Sequence, residues 1–243
     1  MKPNTMLRKD AHLLVIGGTR GLGFELARAA AEQGARVTVT GRDAHFAEAR
    51  AAELDPSARG LACDLMDDAS LTRLFADIDV VDHLVLTAIE RDRNTAADFR
   101  VDAAARMMHI KTVGYANAVA HALPKLAPDG SVVMFSGISM WRPSPGSTTM
   151  SMANSAIIGL VNSLAVEIAP VRVNAITPGS VAGTEAIDNA GPVMAEVFEA
   201  QRQRTPGKRL PAPDDIVAAV LFLLTCSGVN GENLVVDCGY HLV

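Results

Sequence analysis

The sequence predicts an α/β fold: a three-layer, doubly wound parallel sheet of about seven strands in a single domain. Three observations point there. Short apolar or β-branched runs alternate with longer stretches of helical spacing along the chain. The first run is continuously apolar, as a strand covered by helices on both faces should be. A glycine cluster follows that run and opens the first helical stretch. No repeat or low-complexity linker divides the 243 residues, a length that one large domain accommodates.

The elements follow in order. "HLLVIGG" (12–18) reads as a buried strand ending in glycines, and "GFELARAAAEQG" (23–34) as a helix stopped by Gly34. "ARVTVTG" (35–41) is β-branched and reads as the second strand, with a helix over 43–54 behind it. Strands are expected at 58–65 and 81–88, with a helix at 68–78 between them. One long helix is expected within 96–126, then a strand at 130–137 and a helix at 149–168. Strand 171–177, helix 214–226 and strand 233–237 complete the alternation. The stretch from Pro178 to about Gly191 reads as irregular, and loops of that length usually act as lids or binding loops.

Composition excludes several classes. A net charge of −5 argues against nucleic acid, which calls for a basic face. The N-terminal residues lack an apolar signal core, and no run approaches the apolar length needed to cross a membrane. Cys63, Cys226 and Cys238 form no CxxC pair and read as reduced, mostly buried thiols of a cytoplasmic protein. The histidines show no ligand spacing, so no metal site is expected.

"VIGGTRGLGFELA" (15–27) places Gly17, Gly21 and Gly23 between the first strand and the first helix. Glycine permits positive φ and close approach of the backbone to a pyrophosphate, and the helix N-terminus adds free N–H groups. The strand–turn–helix context makes this a dinucleotide site rather than a tight turn alone. An NAD site usually carries an acid at the end of the second strand. Here Thr40 and Gly41 stand there, Arg42 follows, and Arg20 lies inside the glycine loop. Two guanidinium groups suit a 2′-phosphate, so NADP(H) is expected over NAD(H). The bland alternative leaves both arginines solvated, with Asp43 reaching the ribose.

These segments resemble the short-chain dehydrogenase/reductase family from about residue 11 to 243. The resemblance rests on "GGTRGLG" (17–23), "CDL" (63–65), "VDHLVLTA" (81–88), "RVNAITPG" (172–179) and "NGENLVVDCGY" (230–240), in order and at family spacing. It implies a Rossmann-type fold and a cofactor site of Gly17, Thr19, Arg20, Gly21, Leu22, Gly23, Arg42, Asp64, Leu65, Thr87, Ala88, Ile89, Pro178, Gly179 and Val181. Asp64 is implied at the adenine, Thr87 to Ile89 beside its ribose, and Pro178, Gly179 and Val181 along the nicotinamide. A homodimer or homotetramer is implied too, joined through the long helix and helix 149–168.

The family's catalytic set is Asn, Ser, Tyr and Lys, the last two as YxxxK. This chain departs at all four places. "MSMAN" puts Met150 at the tyrosine and Asn154 at the lysine; Gly137 falls at the serine and Lys111 at the asparagine. In addition, "VDGG" has become "VDCG". A positioned general acid is worth about 10²–10⁴ in rate. Methionine cannot donate a proton, so carbonyl reduction by the family route is closed.

Three readings follow. The chain is a reductase on a small-molecule substrate, with Lys111 as relocated donor or stabiliser and Ser136 or Ser139 orienting a substrate oxygen. An iminium ion or a conjugated enone would ask less of such a site. Alternatively it binds the nucleotide without redox chemistry, or it performs a dehydration or cyclisation, with Glu90 and Arg142 as charged groups at the cleft mouth. For Lys111 a surface or interface charge is the alternative, and for Glu90 and Arg142 a solvated loop position. Trp141 could stack on a flat substrate or pack in the core. Segment 180–200 is the expected lid.

Overall fold

In the computed structural model, which describes residues 6–184, 187 and 191–243, the alternation resolves into seven parallel strands. They are β1 (His12–Ile16), β2 (Arg36–Gly41), β3 (Arg59–Ala62), β4 (Val81–Leu86), β5 (Leu126–Phe135), β6 (Arg172–Pro178) and β7 (Asn233–Val236). The sheet order is β3-β2-β1-β4-β5-β6-β7. The chain winds outward from β1 to β3, returns, and winds the other way from β4 to β7. Order therefore reverses between β1 and β4, where ligands of open α/β sheets bind beyond the strand C-termini.

Each strand divides its side chains between two cores. On β1, Leu14 and Ile16 join Leu71, Tyr115 and Ile157 on one face of the sheet. Leu13 and Val15 join Leu26, Val220 and Leu224 on the other. The helices supplying those residues are α1 (Gly21–Glu32), α3 (Asp68–Ala76), α5 (Val113–Ala122), α6 (Thr148–Glu167) and α8 (Pro213–Thr225); α2 (Ala44–Ala52) packs behind β2 and β3. All the apolar positions of β1 are buried, which explains why it reads as a run and not as an alternation.

The helix ends follow local chemistry. Gly34, at φ +82, closes α1: its N–H donates to the Ala31 carbonyl while the Ala35 N–H donates to that of Ala30. Asp43 caps α2 through Oδ1, which accepts from the Phe46 N–H at 2.9 Å.

Four expectations need correction. The predicted long helix is two, α4 (Val101–Lys111) and α5, broken at Thr112 with φ −117 and ψ −78. The Thr112 hydroxyl donates to the Met108 carbonyl at 2.6 Å, and Gly114 lets the second helix lie against Leu65, where a Cβ would come within 2.9 Å. The segment expected to be a lid is partly a helix, α7 (Gly191–Arg204); residues 185, 186 and 188–190 of it lie outside the described residues. Of the cysteines only Cys63 is buried, and Cys226 and Cys238 are half-buried. Finally, α6 is long and apolar enough to cross a membrane by length and composition, but it packs between β5 and β6 and buries Thr149 and Asn154.

Candidate functional site

The glycine loop lies at the switch point, and its glycines answer different demands. At Gly17, φ is +89, and a Cβ would lie 2.5 Å from the Ala88 nitrogen and 2.9 Å from the Thr87 hydroxyl oxygen. Gly23 is pressed on the same hydroxyl, which donates to the Gly17 carbonyl at 2.9 Å. Both are required by the packing of β1 against the end of β4. Gly21, at φ +53, faces open space: a Cβ there would meet nothing within 4 Å. Helix α1 starts beside it with no side-chain cap and no acid in its first turn. That N-terminus fits the phosphates of a dinucleotide. Thr19 packs on Gly41, and Arg50 donates to the Thr19 carbonyl at 3.2 Å, fixing the loop to α2. Leu22 packs into the core behind it.

The Arg20 guanidinium lies over the Phe46 ring, 4.5 Å from its centroid, which puts it at the β2–α2 corner. Arg42 leaves that corner and meets Glu90 at 3.5 Å. Arg106 holds Glu90 more firmly, with Nε 2.8 Å from both carboxylate oxygens. Glu90 is therefore a tether between two arginines and not a free acid. Asp43 uses one oxygen as the α2 cap. Asp64 accepts from the Met66 N–H through Oδ1 at 2.9 Å, and Leu65 beside it is buried against Gly114. Thr87 and Ala88 line the cleft half-buried, and Ile89 is exposed.

Across the cleft, β6 ends at Pro178, and the Gly179 N–H donates to the Val236 carbonyl at 3.0 Å. A Cβ on Gly179 would lie 2.8 Å from the Asp237 Cβ, so this loop and the end of β7 are in direct contact. Val181 turns into the core, and its carbonyl accepts from the Thr184 hydroxyl at 2.7 Å.

Three of the four residues that the resemblance sets at the catalytic places, Lys111, Gly137 and Asn154, pack together. Lys111, the last residue of α4, is 2 % exposed. Its Nζ donates to the Asn154 Oδ1 at 2.5 Å and to the Ser136 carbonyl at 3.3 Å. Lys111 and Asn154, which the resemblance sets at the family's asparagine and lysine places, are a direct ammonium–amide pair. Burial, with Arg91 as a second positive charge, lowers Lys111 to about pKa 7. The Asn154 Nδ2 donates onward to the Ser139 Oγ at 2.9 Å. At Gly137, where the resemblance expects a serine, a Cβ would sit 2.7 Å from the Asn154 Nδ2. The amide occupies the space that any side chain at 137 would need.

The two candidate serines thus differ. Ser136 donates its hydroxyl to the Asn154 carbonyl at 2.9 Å and stabilises α6 against β5. Ser139 accepts from the amide, and its own proton has no acceptor among the described residues. It sits on a single helical turn, 138–140, held by the Ser151 hydroxyl donating to the Ser139 carbonyl at 2.8 Å. Asn94, fully buried, ties the loop after β4 to α6 by donating to Thr149 Oγ1 at 3.1 Å. Met150 is half-buried where the phenol is missing.

Tyr115 and His241 escaped the sequence reading, and the structure also places Trp141 and Arg142, which that reading named. Tyr115 is fully buried and donates to the Ala88 carbonyl at 2.8 Å; burial raises its pKa, so it stays a neutral support of the cleft wall. Trp141 is 48 % exposed and rests on His241, ring centroids 5.9 Å apart, so it is not core. Arg142 donates to the His241 carbonyl at 3.2 Å. The imidazole Nδ1 of His241 lies 2.9 Å from Asp237 Oδ2. The i, i+4 spacing in "DCGYH" carried that signal. No cluster able to hold a metal ion occurs among the described residues.

Comparison with known proteins agrees with this fold. Residues 17–241 match the family described as Enoyl-(Acyl carrier protein) reductase. The granaticin polyketide synthase putative ketoacyl reductase 2 of Streptomyces violaceoruber is 32 % identical, covering 95 % of this chain and 96 % of its own. The short-chain dehydrogenase/reductase malC of Malbranchea aurantiaca is 28 % identical, covering 97 % and 96 %. Among solved structures, one titled MalC Reductase/Diels-Alderase, from the same organism, superposes with a TM-score of 0.89 at 24 % identity over all of both chains.

Proposed function

The chain belongs to the short-chain dehydrogenase/reductase family, whose members use a nicotinamide cofactor, and on that footing we propose that it is an NADP(H)-dependent reductase of conjugated carbonyl compounds. Bound along the glycine loop, the cofactor supplies a hydride. Arg20 and Arg42 flank the β2–α2 corner, and Asp43 is engaged in capping, which favours a 2′-phosphate there over a bare ribose.

The observation that carries the reading is the hydrogen-bond chain Lys111–Asn154–Ser139. Each donor polarises the next, so the Ser139 hydroxyl at its end is a strengthened donor for a substrate oxygen. The charge around it is positive: Lys111 and Arg91 stand close, and Glu90 is held by Arg106. Such a site disfavours an iminium cation and favours an oxyanion. An unactivated ketone would yield an alkoxide needing a proton at once, and Met150 cannot give one. A conjugated carbonyl takes hydride at its β-carbon and spreads the charge as an enolate, whose oxygen the Ser139 hydroxyl holds. Lys111, Asn154 and Ser139 therefore act as an oxyanion-stabilising chain.

The same polarising donor would also lower the barrier of a cyclisation on a conjugated carbonyl. The pairing of reductase and Diels-Alderase in the name of the Malbranchea aurantiaca protein makes that the second reading.

The test is NADPH oxidation on a panel of cyclohexenone, a saturated ketone and a cyclic iminium salt. Turnover is expected with the enone alone, and Ser139→Ala and Lys111→Met each reduce it about 10²-fold. NADPH binding by both variants should be unchanged by calorimetry, whereas Arg42→Ala weakens NADPH and not NADH. Equal turnover of all three substrates, or full activity in Ser139→Ala, removes the reading.

A further inference from the structure

The oxyanion chain leaves one requirement unmet. Hydride at the β-carbon produces an enolate, and the reduction is complete only when its α-carbon gains a proton. Ser139 holds the oxygen, and Met150 has none to give. Outside that chain, one titratable pair lies against both walls of the cleft.

Asp237 follows β7 directly and is 3 % exposed. It touches Gly179, on the loop after β6, where a Cβ would lie 2.8 Å away. Its carboxylate accepts from the Gly239 N–H at 2.9 Å and the His241 N–H at 2.6 Å, and both oxygens lie within 3.0 Å of the His241 Nδ1. The turn is built with Cys238 at φ +57 and Gly239 at φ +89, which folds the chain back so that residue 241 returns to the carboxylate. The imidazole then lies beside Trp141, two residues from Ser139 on the loop after β5. Arg142 on that loop fixes the His241 carbonyl, and its guanidinium stands 6.0 Å from the Tyr240 ring. The charged groups facing His241 are thus Asp237 from the end of β7 and Arg142 from the loop after β5.

A carboxylate on Nδ1 fixes the ring's orientation and leaves Nε2 as the nitrogen able to exchange a proton with the cleft. The side chain keeps 30 % of its surface exposed. We propose that His241, oriented by Asp237, is the proton donor that completes the reduction. The enolate α-carbon takes the proton from Nε2, the neutral imidazole regains one from water, and the electron pair delivered as hydride stays in the new C–H bond. The assignment rests on the conjugated-carbonyl reading above.

Two measurements test it. The first needs no turnover: carbethoxylation of histidines by diethyl pyrocarbonate, mapped by peptide mass, with and without saturating NADP⁺ and cyclohexenone. His241 should be protected severalfold, while His45, exposed on α2, should react unchanged. Unprotected His241 overturns the proposal. The second compares His241→Asn with wild type on cyclohexenone. Asparagine can keep the contact with Asp237 but offers no titrating donor. A drop of about 10²-fold in kcat with KM for NADPH unchanged supports proton donation. Retained kcat in the asparagine variant shows that His241 only shapes the turn, and overturns it. No enone turnover by wild type would instead refute the reading of the reaction, and the donor role with it.

Discussion

The two halves of the cleft are held together by different means. In the half formed by β1, β2 and α1, glycine backbone meets its neighbours directly: Gly17 is pressed against the Ala88 backbone, and both Gly17 and Gly23 against the Thr87 hydroxyl. In the half formed by β5, α6 and the end of α4, side chains meet side chains, and a buried ammonium, an amide and a missing Cβ define one another. A backbone contact tolerates no substitution. A side-chain cluster can be rewritten if its members change together, and here the ammonium and the amide are in direct contact.

The sharpest way to break the comparison is at the glycines. Gly17→Ala drives a Cβ into the Ala88 backbone, and thermal unfolding should show a loss of about 3 kcal/mol or more, with or without cofactor. Gly21→Ala meets nothing and should lose only about 1 kcal/mol from its positive φ, while cofactor binding collapses. Equal stability losses at the two positions would erase the distinction between a packing glycine and a ligand glycine.

The next effect is smaller and concerns coupling. Gly137→Ser should cost about 2 kcal/mol in the native background, because the new Cβ meets the Asn154 amide. In an Asn154→Ala background the same change should be close to neutral. Denaturant titration of the four proteins measures the interaction. Additivity would mean that the amide does not occupy the serine's space.

The smallest effect is in pH dependence. Burial holds Lys111 at about pKa 7, below its ordinary 10.5. The unfolded chain therefore binds the proton more tightly, and stability rises with pH through that interval; it is lost as pH falls toward 7. Between pH 7 and 8 the gain should be about 1 kcal/mol, and Lys111→Met should flatten it. An unchanged slope in the variant would mean that the ammonium is not the buried group.

The same contrast governs what could be read from sequence. The first half writes its needs locally: a strand, a glycine spacing and a helix within one short segment, with Arg20 and Arg42 at one corner. The strands were legible from continuous apolar runs such as HLLVI in β1 and from β-branched residues such as those of β2. In the second half, Lys111 and Asn154 lie 43 residues apart, so their contact shows only once the fold joins them. The break at Thr112 was missed because the apolar pattern runs through it. Helix α7 was missed because its residues lack a strong apolar face and follow an irregular stretch. The choice between Ser136 and Ser139 needed the direction of each hydroxyl, which spacing does not carry. His241 went unnoticed as one histidine without metal-ligand spacing, although its aspartate stands four residues before it.

The unequal grip on Glu90 has a consequence for ligand arrival. Arg106 takes both carboxylate oxygens squarely, whereas Arg42 only leans on one of them, and all three groups face solvent. A contact that loose contributes little and dissolves readily in salt. A dianion reaching the β2–α2 corner can draw Arg42 away while the carboxylate stays moored to Arg106. The segment between β4 and α4 therefore keeps its anchor whether that corner is empty or filled.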